Sequence, residues 1–107
     1  MLPLIKQVAR EYKANLQDLY GNELEKVILF GSFARGDNRE DSDLDFAIVL
    51  KNPNTRASKE IFKTSVIGSR LSLKFGIMIS GFPTSAKKLE TSLQGIYQEI
   101  RKEGIIL

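Results

Sequence analysis

Gly31-Ser32-Phe33-Ala34-Arg35-Gly36 opens a polar stretch that runs through Asp37 to Ser42 and closes on Asp43-Leu44-Asp45. Before it stands Lys26-Val27-Ile28-Leu29-Phe30, a short β-branched and apolar run that ends at a glycine and reads as a buried strand. After it, Leu44 to Leu50 reads as a second strand. The stretch between is rich in Gly, Asn, Asp and Ser, the composition of a loop with room for about one helical turn. Its two ends become neighbours only if the flanking strands run antiparallel around it. That pairing decides the fold.

Working outward, Ile5, Val8, Tyr12, Leu16 and Leu19 recur at the spacing of one helical face over Leu4 to Tyr20. Pro3 suits the first turn of that helix, and Gly21-Asn22 supplies its stop. Downstream, Lys51-Asn52-Pro53-Asn54 breaks the chain, and Ser58 to about Leu73 predicts a helix with Ile61, Phe62, Val66 and Leu73 facing the core. Phe75 to Ile79 reads as a third short strand bounded by Ser80-Gly81-Phe82-Pro83. Thr84 or Ser85 caps a last helix that turns Ala86, Leu89, Leu93, Ile96, Tyr97 and Ile100 inward. Gly104 is its stop, and Ile105 to Leu107 form an apolar tail. The order α, β, loop, β, α, β, α describes one α/β domain over residues 1–107, with a small mixed three-stranded sheet flanked by helices. The second and third strands, joined by a full helix, are expected to be parallel with a right-handed crossover.

Composition narrows the chemistry. Cysteine and histidine are both absent, which removes thiolate and imidazole ligands and the commonest general base. A metal must then be a hard cation held by oxygen, and a base must be a carboxylate or water. The net charge of +3 and pI near 9.3 suit an anionic ligand, but the positive residues are scattered, and a solvated surface explains them equally well. A nucleic-acid partner rests on that charge alone and ranks last. No apolar stretch approaches a membrane span, and the start of the chain lacks the apolar core of a signal peptide, so a cytoplasmic protein without a membrane partner is expected.

Asp43 and Asp45 carry the strongest signal. Two apart on a strand, they point to one face with Cα atoms roughly 6.5–7 Å apart. At about 4 Å and an effective dielectric near 20, two such charges repel by roughly 4 kcal/mol, so the pair invites a cation. Mg²⁺ fits, because it prefers carboxylate oxygens and is commonly shared with substrate phosphates. Gly31 lets the backbone approach a phosphate, and Ser32 offers a hydroxyl and a free N–H at the start of a turn. Arg35 has two open readings: it reaches a triphosphate, or it anchors its loop on an acidic neighbour. Asp37, Asp41 and Ser42 read as turn-capping residues and Arg39 as solvated. Phe30, Phe33, Phe46, Tyr12 and Tyr97 read as core or loop packing.

Gly-Ser followed, after ten intervening residues, by Asp-Leu-Asp resembles the signature of the DNA polymerase β-like nucleotidyltransferase superfamily. Gly-Ser-Phe-Ala-Arg-Gly, Ser-Asp-Leu-Asp and the tail Ile-Arg-Lys-Glu-Gly-Ile-Ile-Leu are similar to its minimal, stand-alone branch. The resemblance implies that Ser32 and its backbone hold the β- and γ-phosphates of ATP, and that Asp43 and Asp45 bind the Mg²⁺ that activates the α-phosphate. It further implies transfer of AMP to a hydroxyl, with the minimal branch acting as antitoxin by adenylylating a tyrosine of a HEPN ribonuclease toxin. One departure stands out. Active members usually carry a third carboxylate on the following strand, and Lys74 to Ser80 contains no Asp or Glu; the nearest alternatives are Glu60 and Glu90, both on predicted helices. Losing a positioned base costs about 10²–10⁴ in rate. A competing expectation is therefore a weak or inactive nucleotidyltransferase-fold protein that neutralises a partner by binding alone.

Overall fold

The computed structural model describes residues 1–107. Its frame is the expected antiparallel pair, β1 (Leu24–Phe30) and β2 (Leu44–Leu50), in register from Lys26 opposite Val49 to Phe30 opposite Asp45. Helix α1 (Pro3–Tyr20) precedes β1 and buries Ile5, Val8, Ala9, Tyr12 and Leu16; Leu19 stays exposed. The stretch between the strands holds a single helical turn, α2 (Ser32–Arg35). Helix α3 (Ala57–Phe75) then crosses to β3 (Ile79–Ser85), which lies parallel to β2, with Leu44 opposite Ile79 and Leu50 opposite Ser85. No helix is long and apolar enough to cross a membrane.

The sheet has four strands where three were expected, in the order β3-β2-β1-β4. The addition is the tail: β4 (Ile105–Ile106) pairs antiparallel with Leu29 and Ile28 of β1. The backbone at Gly104 lies so close to Ile28 that a side chain there would collide with it. That close turn delivers the tail to the open edge of β1, whose hydrogen-bonding groups would otherwise lack partners. Leu107 N–H donates to the Val27 carbonyl at 3.0 Å, and Lys13 Nζ donates to the Leu107 carbonyl at 2.8 Å.

The third strand is also displaced along the sequence. α3 persists through Phe75 and ends where Gly76 adopts φ +69°, a left-handed cap. The expected strand at 75–79 therefore falls on the helix end and the approach to β3, and the expected breaker Ser80-Gly81-Phe82-Pro83 lies inside the strand. Pro83 is tolerated because β3 is an edge strand. Leu44 N–H donates to the Met78 carbonyl at 2.9 Å, so even-numbered positions carry the ladder and the missing N–H of Pro83 falls on the open side.

Two apolar layers sandwich the sheet. On one side Val27, Leu29, Leu44, Phe46, Ile48 and Leu50 pack against α1 and α3, with Tyr12 stacked on Phe46 at 4.5 Å between ring centroids. On the other, Ile28, Phe30, Ala47 and Val49 meet Leu89, Tyr97 and Ile100. Coverage of both faces explains why the strands read as continuous apolar runs instead of alternating ones. The last helix is divided into α4 (Ala86–Thr91), capped by the Ser85 side chain, and α5 (Gly95–Glu103), because Ser92 and Gln94 are extended. The break leaves Leu93 and Ile96 exposed. The buried face of α3 also differs from the expected one: Thr64, Ile67, Gly68 and Leu71 point inward, and Ile61, Phe62, Val66 and Leu73 point out. Gly68 faces Ile79 on β3, and the Thr64 hydroxyl is satisfied by the Glu60 and Ile61 carbonyls at 3.1 and 3.2 Å.

Candidate active site

The end of β1 and the start of β2 meet at one corner of the sheet. Gly31 leaves β1 with φ +78°, a conformation that favours glycine. A Cβ at Gly31 would collide with the Asp45 carboxylate. Glycine is therefore required twice here, by backbone angle and by the carboxylate lying directly against the backbone. Beyond it, the Gly31 carbonyl accepts from Ala34 and Arg35 N–H groups at 3.1 and 3.0 Å, which closes the α2 turn. The N–H groups of Ser32 and Phe33, first in that turn, have no helical carbonyl to bond. Gly36, at φ +82°, ends the turn, and its N–H donates to the Ser32 carbonyl at 2.9 Å.

Asp43 is exposed and Asp45 half-buried. In β2 the even-numbered residues from Leu44 to Leu50 belong to the α1/α3 layer, and Ala47 and Val49 to the other, so the alternation puts Asp45 on the α4/α5 side. Burial holds the Asp45 carboxyl above the usual carboxylate range, and the charges of Asp43 and Glu99 push it further in the same direction; Arg35 opposes them. A carboxylate that is half-desolvated and crowded by like charge is a place where a cation would lower the energy.

The structure brings Gly31, Ser32, Arg35, Asp43 and Asp45 to this corner. Arg35 donates to Asp37 at 3.1 Å and to both Glu99 and Glu103 of α5 at 2.8 Å. Glu103, and after it Asp37, hold its proton more tightly than usual. The guanidinium thus ties the loop to α5. Glu99 and Glu103 were not singled out in the sequence, because their relevance depends on where α5 packs, some 64 and 68 residues from Arg35. Glu60 and Glu90 lie elsewhere: Glu60 accepts from the Tyr20 hydroxyl at 2.8 Å, and Glu90 lines a cleft with Lys26 and Arg101. The residue paired with Asp45 on β3 is Ser80, and β3 carries no carboxylate.

No group of three acidic side chains is close enough to enclose a metal ion. Asp43, just before β2, and Asp45, its second residue, fit Mg²⁺ in a different way. The ion takes one or two protein carboxylates and completes its shell with water and substrate phosphates. Asp43 and Asp45 supply such a half-shell, open to solvent on the side of Asp43.

A cleft of about 310 Å³ adjoins Asp43 and runs between α3 and β3. Ser65, Ser69 and Ser80 line it, and at its base the hydroxyl of fully buried Tyr12 has no hydrogen-bond partner. Gly81 leaves room for that hydroxyl, which a Cβ would strike. Burial pushes the Tyr12 phenol well above its ordinary pKa, so it stays a neutral donor.

Residues 9–106 match the family model described as a nucleotidyltransferase domain. A provisionally named protein adenylyltransferase of Methanocaldococcus jannaschii is 42% identical over 94% of this chain and 96% of its own length. Among solved structures, a protein described provisionally as a minimal nucleotidyltransferase superposes with a TM-score of 0.60, at 23% identity, covering 99% of this chain and 97% of the other. A toxin–antitoxin structure with AMP-PNP gives a TM-score of 0.60 at 16% identity, over 89% of this chain and 68% of that one. Both structures share the fold.

Proposed function

The chain belongs to the nucleotidyltransferase domain family, and on that premise we propose that it is a Mg²⁺-dependent protein adenylyltransferase that moves AMP from ATP to a hydroxyl of a partner protein. The observation that carries the reading is the Gly31 backbone lying directly against the Asp45 carboxylate, which supports a phosphate-binding turn and a metal-binding carboxylate side by side. A protein acceptor is supported by the full-length relative at 42% identity, which bears the name of a protein adenylyltransferase. A toxin as that acceptor, with the chain acting as its antitoxin in the cytoplasm, is supported by the shared fold of the toxin–antitoxin neighbour. The specific partner we propose is a HEPN-type ribonuclease, modified on a tyrosine.

In this mechanism Ser32 binds the β- and γ-phosphates through its hydroxyl and free N–H. Asp43 and Asp45 would hold the Mg²⁺, which would neutralise phosphate charge and polarise the α-phosphate. Arg35 keeps the loop seated on α5 through Glu99 and Glu103. The acceptor oxygen forms a bond to the α-phosphorus, the bond to the β-phosphate oxygen breaks, and pyrophosphate leaves with that electron pair. β3 offers no carboxylate to take the acceptor's proton, which passes to solvent. Transfer is slower by about 10²–10⁴ than with a positioned base.

That same vacancy on β3 favours a second reading, neutralisation by binding alone. Intact-mass spectrometry of a HEPN-type toxin incubated with this protein, ATP and Mg²⁺ separates the two. Mass added in whole AMP units, and lost with Asp43→Asn/Asp45→Asn, supports the enzyme. A tight complex without added mass replaces it with the binding module.

A further inference from the structure

Helix α3 wears part of its apolar surface on the outside. Phe62, Val66 and Leu73 are 77%, 52% and 88% exposed. At about 100° per residue they form one strip along the helix. Stepping around the helix, Lys59, Lys63, Arg70 and Lys74 follow on one flank, and Ile61, Ser65 and Ser69 on the other. The second flank is the wall of the cleft that contains Asp43. The strip therefore lies between a row of cations and the catalytic corner.

We infer that this face of α3 docks the acceptor protein, through a helix with an apolar strip of its own and acidic residues along one side. The inference rests on the function proposed above only in identifying the docked helix as part of the acceptor. The cations select an acidic partner. Lys63 reaches Glu60 at 3.4 Å and Lys74 reaches Glu11 at 2.7 Å, but both side chains are more than half exposed, and Arg70 is bound only by the neutral Asn15 side chain. A second copy docked antiparallel on the same strip would set one cation row against the other, which disfavours self-association. Nucleic acid would use the cations and leave Phe62 and Leu73 in water. A helix seated with its acidic side on Lys59 and Arg70 presents its opposite side to the Asp43 cleft, so docking and delivery of a hydroxyl are one geometry.

The test uses the intact protein and two synthetic helical peptides of about 18 residues, roughly the length of α3. Each carries leucines at one helical strip, flanked on one side by glutamates in the first peptide and by lysines in the second. The acidic peptide is expected to bind at least about tenfold more tightly than the basic one. That binding should fall about tenfold in Phe62→Ser/Leu73→Ser and in Lys59→Glu/Arg70→Glu, weaken with salt, and be unchanged in Leu93→Ser and Asp43→Asn. Equal binding of the two peptides, no binding of either, or indifference to the α3 substitutions overturns the docking surface whatever the AMP-transfer assay shows. So does a labelled RNA oligonucleotide whose binding needs the cations but not Phe62 and Leu73. Conversely, peptide binding as described without any modification of a toxin keeps the surface and removes the enzyme reading. Circular dichroism and melting of each variant confirm that these exposed substitutions leave the fold intact.

Discussion

The two faces of the sheet are built to different ends. One is closed by α1 and α3, long helices that contribute to a layer of thirteen buried residues; the other is covered by the short α4 and α5 over a layer of seven. The thick layer holds β1 and β2 in register. The thin one leaves the corner at Asp43 and Asp45 open. A rigid backing with an incomplete front is how a chain of 107 residues presents two like charges without unfolding. The lesson is that site geometry is set largely from behind, by residues that never touch a substrate.

The contrast breaks most directly at the open corner. Asp43→Asn/Asp45→Asn should reduce AMP transfer by at least about 10³-fold, while the melting temperature holds or rises. A variant that keeps measurable transfer, or that unfolds, would place structural weight on the front face and undo the comparison. Next in size is a matched pair of truncations, Leu16→Ala in the thick layer and Leu89→Ala in the thin one. Leu→Ala costs about 2–5 kcal/mol depending on how far the surroundings collapse. Urea denaturation should place Leu16 near the top of that range and Leu89 near the bottom. Equal costs would mean that both faces are equally well packed. Smaller again is Gly31→Ala, which forces a side chain into positive φ and against Asp45. About 1–3 kcal/mol of stability should be lost, with transfer reduced about 10²-fold as Asp45 is displaced. Retention of full transfer would show that the Gly31–Asp45 contact is incidental.

Much of this arrangement was legible in the sequence, for local reasons. The β1–β2 pair and the aspartate spacing follow from short runs whose periodicity and turn residues agree. Legibility failed where long-range packing overrode local signals. Ser80-Gly81-Phe82-Pro83 has the composition of a turn, yet parallel pairing with β2 draws it into an edge strand. Ile105 and Ile106 are too short to read as a strand until Gly104 brings them to β1. On α3, Phe62, Val66 and Leu73 are the more hydrophobic candidates for the core, but the buried face is the one with Thr64, Ile67, Gly68 and Leu71, because that is the side on which α3 packs against α1 and β3. At the site, Gly31 and Asp45 could be paired by inspection, whereas the ties of Glu99 and Glu103 to Arg35 depend on where α5 packs.

The smallest effect sharpens the comparison because it reads the tension at the open corner directly. The Asp45 carboxyl has its pKa raised in the folded protein, chiefly by desolvation and then by the charges of Asp43 and Glu99. A raised carboxylate pKa means that the folded state binds a proton more readily than the unfolded chain does. The ionised carboxylate therefore costs stability above the folded-state pKa, and the cost disappears as pH falls through it. In chelator-treated protein, Asp45→Asn should thus melt a few degrees above the parent at neutral pH, and the gap should close on acidification. Adding Mg²⁺ with a non-hydrolysable ATP analogue should narrow the gap at neutral pH as well, because the cation relieves the same repulsion in the parent alone. Acidification should raise the Mg²⁺ concentration needed for half-maximal AMP transfer, since the proton and the cation compete for the Asp45 carboxylate. A parent protein that is more stable than Asp45→Asn at every pH would show that the corner stores no such strain. The carboxylates would then be held by favourable contacts instead of being exposed at a cost for catalysis.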